Sequence, residues 1–147
     1  MSSYISADLR RLVALRARGL CEYCLIHEAD TYLGCQVDHV ISEKHGGPTE
    51  ADNLAYACTL CNRAGGSDIG SIASSTGELT RLFNPRTDRW LDHFALVKTI
   101  IQPRSPIGEA TVSSPLKKAH RWHMLASNSS GKTQLAVLAK STFSTGC

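Results

Sequence analysis

Leu9, Leu12, Val13 and Ala17 recur at helical spacing, with Arg10, Arg11, Arg16 and Arg18 between them. Apolar residues three and four apart share one face, so this pattern predicts a helix with a buried side and a basic side. Ser6 suits its N-cap, Asp8 its first turn and Gly19 its stop. Cys21 to Cys24 then has the shape of a tight turn. Residues 36–41, rich in Val and Ile, predict a short strand. Residues 42–52 contain Gly46, Gly47 and Pro48 and predict a loop. A second brief strand is expected at 54–57, and a helix at 59–64 that Gly65 and Gly66 break. Residues 67–87 are Ser- and Gly-rich, with a turn expected at Thr76 and Gly77. Trp90, Leu91, Phe94 and Val97 return to helical spacing and are expected to pack back on the core. After Pro106 the pattern fades, and no element is expected there.

The chain has 147 residues, of which 42% are hydrophobic, 20% charged and 6% aromatic. These values fit one globular domain of ordinary size and exclude wholesale disorder. Few large side chains are available to fill a core, and such a core often needs a staple. The net charge is +3, compatible with a polyanionic partner, and a second arginine group lies at Arg81, Arg86 and Arg89. Neither an apolar leader nor a membrane-spanning run is expected from the pattern. The expected location is the cytoplasm, where thiols stay reduced.

Six cysteines are present, four of them in two Cys-x-x-Cys pairs, Cys21 with Cys24 and Cys58 with Cys61. Two such turns can surround one Zn²⁺ with four thiolates in a tetrahedron. Four thiolates also bind iron, as in a rubredoxin-like electron carrier. Cys35 stands outside the pairs and reads as a small core residue. Near the C-terminus, Gly131, Lys132 and Thr133 end a stretch that meets a loose phosphate-loop pattern. A phosphate loop needs a larger parallel sheet around it, so that match is set aside.

Between the cysteine pairs lie Asp38 and His39, then Gly46 and Gly47, then Asn53, then Asn62 and Arg63 beside Cys61. In this order the chain resembles the HNH endonucleases, the ββα-metal nucleases. The resemblance covers about residues 21–66. The flanks at 3–11 and 82–86, with Trp90, His93 and Phe94, look like a bacterial subgroup of that family. The resemblance implies that His39 is the general base and Asp38 a ligand of a catalytic divalent ion. It implies that Asn53 orients the loop and the His39 ring, and that Asn62 occupies the second ligand position. Many members carry His there, and an amide oxygen suits the harder Mg²⁺ or Mn²⁺. Arg63 and Arg86 are expected to contact nucleic acid. Alternation along a strand would send Asp38 and His39 to opposite faces, so their convergence rests on the resemblance.

The expected fold is α+β, a small ββα-metal finger stapled by a four-cysteine zinc site and flanked by helices. Residues 1–108 form the expected nuclease domain, with 109–147 a divergent tail. The expected function is divalent-metal-dependent hydrolysis of phosphodiester bonds in DNA, with RNA left open. The alternative is a zinc-stabilised module that binds nucleic acid without cutting it.

Overall fold

Ser6 starts the first helix, α1 (Ala7–Arg16), by accepting a hydrogen bond from the Leu9 amide at 3.3 Å. Arg18 and Gly19 end it in left-handed conformations, with φ of 54° and 72°. The helix buries Val13 and Ala17, and Leu9 in part, whereas Leu12 is 46% exposed. Leu12 was expected on the buried face and is not. Val13 with Ala17 marks the inward line four residues apart, and Leu12 falls about 100° to one side of it. In this computed structural model, residues 3–98 and 100–113 are described. The expected tail beyond 113, including the phosphate-loop pattern, lies outside the described residues.

The helix packs on a two-stranded antiparallel sheet, β1 (Cys35–His39) with β2 (Leu54–Cys58). Cys35 pairs with Cys58, Asp38 with Ala55, and His39 with Leu54. Every residue of β2 is buried. Leu54 and Tyr56 join Val13, Ala17 and Val37 beneath α1. Ala55 and Ala57 face the other way, and their small side chains leave room for a cavity. Arg16 fixes the helix to this sheet by donating to the carbonyls of Ala51 at 3.0 Å and Leu54 at 2.8 Å. Directly after β2 comes α2 (Thr59–Gly65), completing a ββα unit.

Three further pieces wrap this unit. The hairpin of β3 (Gly70–Ile72) and β4 (Leu79–Arg81) turns at Gly77, where φ is 71°. A single helical turn, α3 (Trp90–His93), leads into the hairpin of β5 (Phe94–Val97) and β6 (Ile100–Pro103). The helical spacing of Trp90, Leu91, Phe94 and Val97 therefore breaks at Phe94. A short run of apolar residues fits either period, and pairing with Ile100 and Ile101 decides for the strand.

A final helix, α4 (Pro106–Thr111), occupies a region where no element was expected. Its signals are local: Ser105 caps Gly108 N at 3.0 Å, and Pro106 takes the first helical turn. Thr111 Oγ1 accepts from Phe83 N at 2.8 Å and donates to the Ile107 carbonyl at 2.7 Å. Gly108, the expected end of the domain, thus lies inside a packed helix. No helix among the described residues is long and apolar enough to cross a membrane.

Leu54 is fully buried at the junction of α1 and the sheet. Leu54→Ala is expected to cost about 2–5 kcal/mol in denaturant unfolding. Leu12→Ala should fall within about 0.5 kcal/mol of wild type. Equal losses in the two variants would show that the buried face of α1 has been misplaced.

Candidate metal centre and adjoining cavity

The first cysteine pair sits in a turn closed by Leu25 N on the Cys21 carbonyl at 2.8 Å and Cys21 N on the Ile26 carbonyl at 2.8 Å. Leu25 adopts a positive φ of 66° there. The second pair spans the start of α2, where Cys58 caps the helix and its Sγ accepts from Cys61 N at 3.5 Å. All four sulfurs lie within 4.8 Å of one another, and all four residues are buried. Cys24 Sγ and Cys58 Sγ are 3.7 Å apart. A tetrahedron with Zn–S bonds of ~2.3 Å has sulfur–sulfur edges of about 3.8 Å, whereas a disulfide would need about 2 Å. The donor set therefore fits one zinc ion.

The thiols cannot titrate independently at this spacing. Hydrogen bonds from Cys21, Cys24 and Cys61 hold the Cys58 thiol far below its ordinary range, while contacts with Cys21, Cys24 and Cys58, and then burial, push Cys61 up. Several buried thiolates without a cation would repel at short range in a medium of low dielectric, and a divalent ion removes that cost. Cys35 is different. Burial pushes its thiol up to about 12, so it remains a protonated, partly buried packing residue.

The cluster lies in the main core with Leu25, Ile26, Phe83, Trp90 and Phe94. Its first turn is tied to its surroundings by Glu22 and Tyr23. Glu22 N donates to the Tyr56 carbonyl at 2.8 Å, and Glu22 Oε2 accepts from Tyr56 N at 2.8 Å. Arg86 forms an ion pair with the other carboxylate oxygen of Glu22. Trp90 Nε1 donates to the Tyr23 carbonyl at 2.9 Å.

Next to the metal centre is a cavity of about 600 Å³ floored by Ala55 and Ala57. Asp38, His39 and Asn62 all line it. Asp38 lies on the cavity face of β1, opposite Ala55. His39 ends the strand, where the ladder gives way to the loop through Val40 N on the Asn53 carbonyl at 2.8 Å. The Asp38 carboxylate folds back to accept from His39 N at 2.8 Å, and its Oδ1 lies 3.8 Å from His39 Nδ1. The bend that alternation alone did not supply is therefore present. Asn62 reaches across from α2 and donates through Nδ2 to Gln36 Oε1 at 3.4 Å.

The loop is organised by Asn53, which is buried. Its Nδ2 donates to the carbonyls of Ile41 and Pro48, both at 2.9 Å, and its Oδ1 accepts from Ile41 N at 3.0 Å. Gly47 is needed at this crossing, because a Cβ there would collide with the Ile41 carbonyl and the Asn53 amide. Thr49 follows Pro48, and its Oγ1 lies 2.8 Å from His39 Nε2. Asn53 thus braces the loop that carries Thr49.

Of the other expected site residues, Arg63 is exposed on α2. The Arg86 side chain is only 11% exposed and is paired with Glu22 inside the protein. Arg81 is the arginine on the cavity wall. Thr49, and the cavity-lining His45 and Asp68, were not singled out in the sequence, where Arg81 stood only as one of a basic group. For Thr49 the available signal was its place beside the Gly47 and Pro48 turn.

This architecture defines a ββα unit with a four-cysteine metal centre at its base. Residues 21–68 match the family model described as HNH endonuclease. The match covers 48 of the 147 residues, and the four-cysteine cluster fits the zinc-knuckle subgroup of that family. No curated protein and no solved structure matches the chain. An HNH domain indicates nuclease activity or nucleic-acid binding.

Metal analysis is expected to find about one zinc per chain, and a strong chelator to unfold the domain with loss of its circular dichroism signal. Metal-free protein with an unchanged melting temperature would rule out the structural role.

Proposed function

We propose that the protein is a divalent-metal-dependent endonuclease that hydrolyses phosphodiester bonds in DNA. The observation that carries this reading is the meeting of Asp38 and His39 at one cavity, with His39 Nδ1 3.8 Å from the Asp38 carboxylate and Nε2 held by Thr49. That distance is too long for a good hydrogen bond, so on this reading Nδ1 remains available to a water in the cavity.

Hydrolysis needs an activated water, neutralisation of the developing phosphorane charge and help for the leaving oxygen. On this reading His39 takes the proton of the attacking water at Nδ1, with Nε2 protonated and its N–H donated to Thr49 Oγ1, a contact that holds the ring in place. Asp38 and Asn62 supply a carboxylate and an amide oxygen for a divalent ion. With the Asn62 nitrogen turned to Gln36, its oxygen is the atom left to face a cation. Mg²⁺ or Mn²⁺ suits these hard donors, and when bound would supply positive charge to the phosphate and a more acidic water. Asn53 keeps the loop in place and touches no reacting atom. Arg63, exposed on α2, is free to meet a phosphate further along the strand.

Plasmid nicking with Mg²⁺ or Mn²⁺ tests this reading. His39→Ala is expected to lower the rate by about 10²–10⁴-fold with little change in DNA affinity, and to keep its knuckle zinc. Asn62→His should shift the preferred ion toward Ni²⁺ or Zn²⁺. If wild type binds DNA and cuts neither DNA nor RNA with any divalent ion, the non-catalytic binding module is the correct reading.

Thr49→Val removes the partner of Nε2 and nothing else from the cavity. The expected result is a drop in rate of about tenfold with a displaced pH–rate profile, because the ring loses the hydrogen bond that holds its orientation. An unchanged profile would remove Thr49 from the proposed machinery.

A further inference from the structure

The far wall of the cavity is built by β4 and the turn after it, outside the segment that matches the nuclease family. Arg81 closes β4, and its guanidinium is held at both ends. Nη1 donates to Asp88 Oδ2 at 2.6 Å and to the Leu82 carbonyl at 3.2 Å, and Nη2 donates to Asp88 Oδ1 at 2.8 Å. The Asp88 side chain is 8% exposed, whereas that of Arg81 is 52% exposed. The carboxylate thus lies inside the turn and the guanidinium at its surface, on the cavity wall.

Asp88 is itself fixed, because Oδ2 also accepts from Asn84 N at 2.9 Å. The Arg81 hydrogen bonds hold its carboxyl below the usual range, so the anchor stays charged near neutrality. A fork held in this way still has N–H donors left for a second anion, and its rotamer is already set.

Asn84 adds a second donor. Its Oδ1 accepts from Arg86 N at 2.8 Å, so the NH₂ end of the amide is the part left for the cavity that Asn84 lines. The exposed Thr87 hydroxyl stands on the same wall. Donors on this side face Asp38 and Asn62 on the other, so a phosphate held here would bridge Arg81 and the divalent ion that those two residues are proposed to hold.

We propose that Arg81, anchored by Asp88 and joined by Asn84 and Thr87, is a phosphate subsite. It holds the phosphate of the nucleic-acid strand that flanks the one presented to Asp38 and His39. The assignment deepens the nuclease reading and rests on it for the identity of the ligand. It also gives residues 79–88 a task that the ββα unit does not perform: they fix where the strand lies before the histidine acts.

The test compares wild type, Arg81→Gln and Asn84→Asp for binding to a short DNA duplex across a salt series. No divalent ion is added, and the temperature is one at which circular dichroism shows each protein folded. Arg81→Gln is expected to weaken binding about tenfold on every sequence and to reduce the salt slope by about 1. Asn84→Asp keeps the acceptor for Arg86 N but puts a negative charge at the subsite, and should weaken binding at least as much. Affinities and slopes equal to wild type in both variants overturn the proposal.

Magnesium-dependent nicking is followed in parallel. Wild type that shows this Arg81 dependence in binding yet never cuts leaves the subsite standing and removes the nuclease reading. An Arg81→Gln protein that binds and cuts like wild type removes the subsite and leaves the nuclease. Wild type that binds no DNA removes both.

Discussion

Four buried thiols drawn within a few ångströms of each other are the constraint on which the rest of the structure depends. Without a cation they would repel once ionised, and as neutral groups they would be poor hydrogen-bond partners for a core this size. One divalent ion turns that liability into a cross-link between two parts of the chain distant in sequence. The core has few large side chains, and the cluster lies among most of them, with Phe83, Trp90 and Phe94 around it. Removing the ion would therefore loosen the packing of both halves at once.

The same cross-link sets the geometry of the cavity. Cys58 is at once the last residue of β2, the cap of α2 and a member of the cluster. Fixing it fixes the angle at which α2 leaves the sheet, and hence where Asn62 meets the face that carries Gln36 and Asp38. The other end of the sheet is held by polar contacts. Asn53 binds the two arms of the loop, Gly47 allows them to cross, and Thr49 is delivered to the His39 ring. The cysteine cluster at one end and amide hydrogen bonds at the other hold Asp38, His39 and Asn62 between them.

Much of the ββα unit was legible in the sequence because its signals are local and strong. The duplicated cysteine spacing, the Val-rich strand, the glycine loop and the glycine stop after α2 each act within a few residues. The convergence of Asp38 and His39 came from family resemblance, since it depends on how the strand ends. The C-terminal part was less legible for a physical reason. Phe94 to Val97 is a short apolar run that fits helix and strand alike, and its partner strand decides. The Ser105 cap and Pro106 were visible, but α4 is short and its buried Thr111 looks polar in sequence. Its bond to Phe83 N is a tertiary fact. From a basic stretch with Arg81, Arg86 and Arg89, the sequence pointed to Arg86 as the nucleic-acid contact, because nothing local shows that its partner is Glu22. Only the fold assigns Arg81 to the cavity wall and Arg86 to Glu22.

The pairing of Arg86 with Glu22 has a consequence for modularity. Glu22 belongs to the first cysteine turn, and two more contacts cross the same seam, Trp90 to the Tyr23 carbonyl and the packing of Phe83 on Tyr23. The family segment ends at residue 68, yet its metal-binding turn is clasped by side chains from residues 83–90. Cut out and transplanted, that segment would carry an unpaired carboxylate and a bare aromatic face. The segment that matches the family is therefore not a cassette here. It is the inner half of a larger cooperative unit, and recombination or domain shuffling that preserved the motif alone would not preserve the fold.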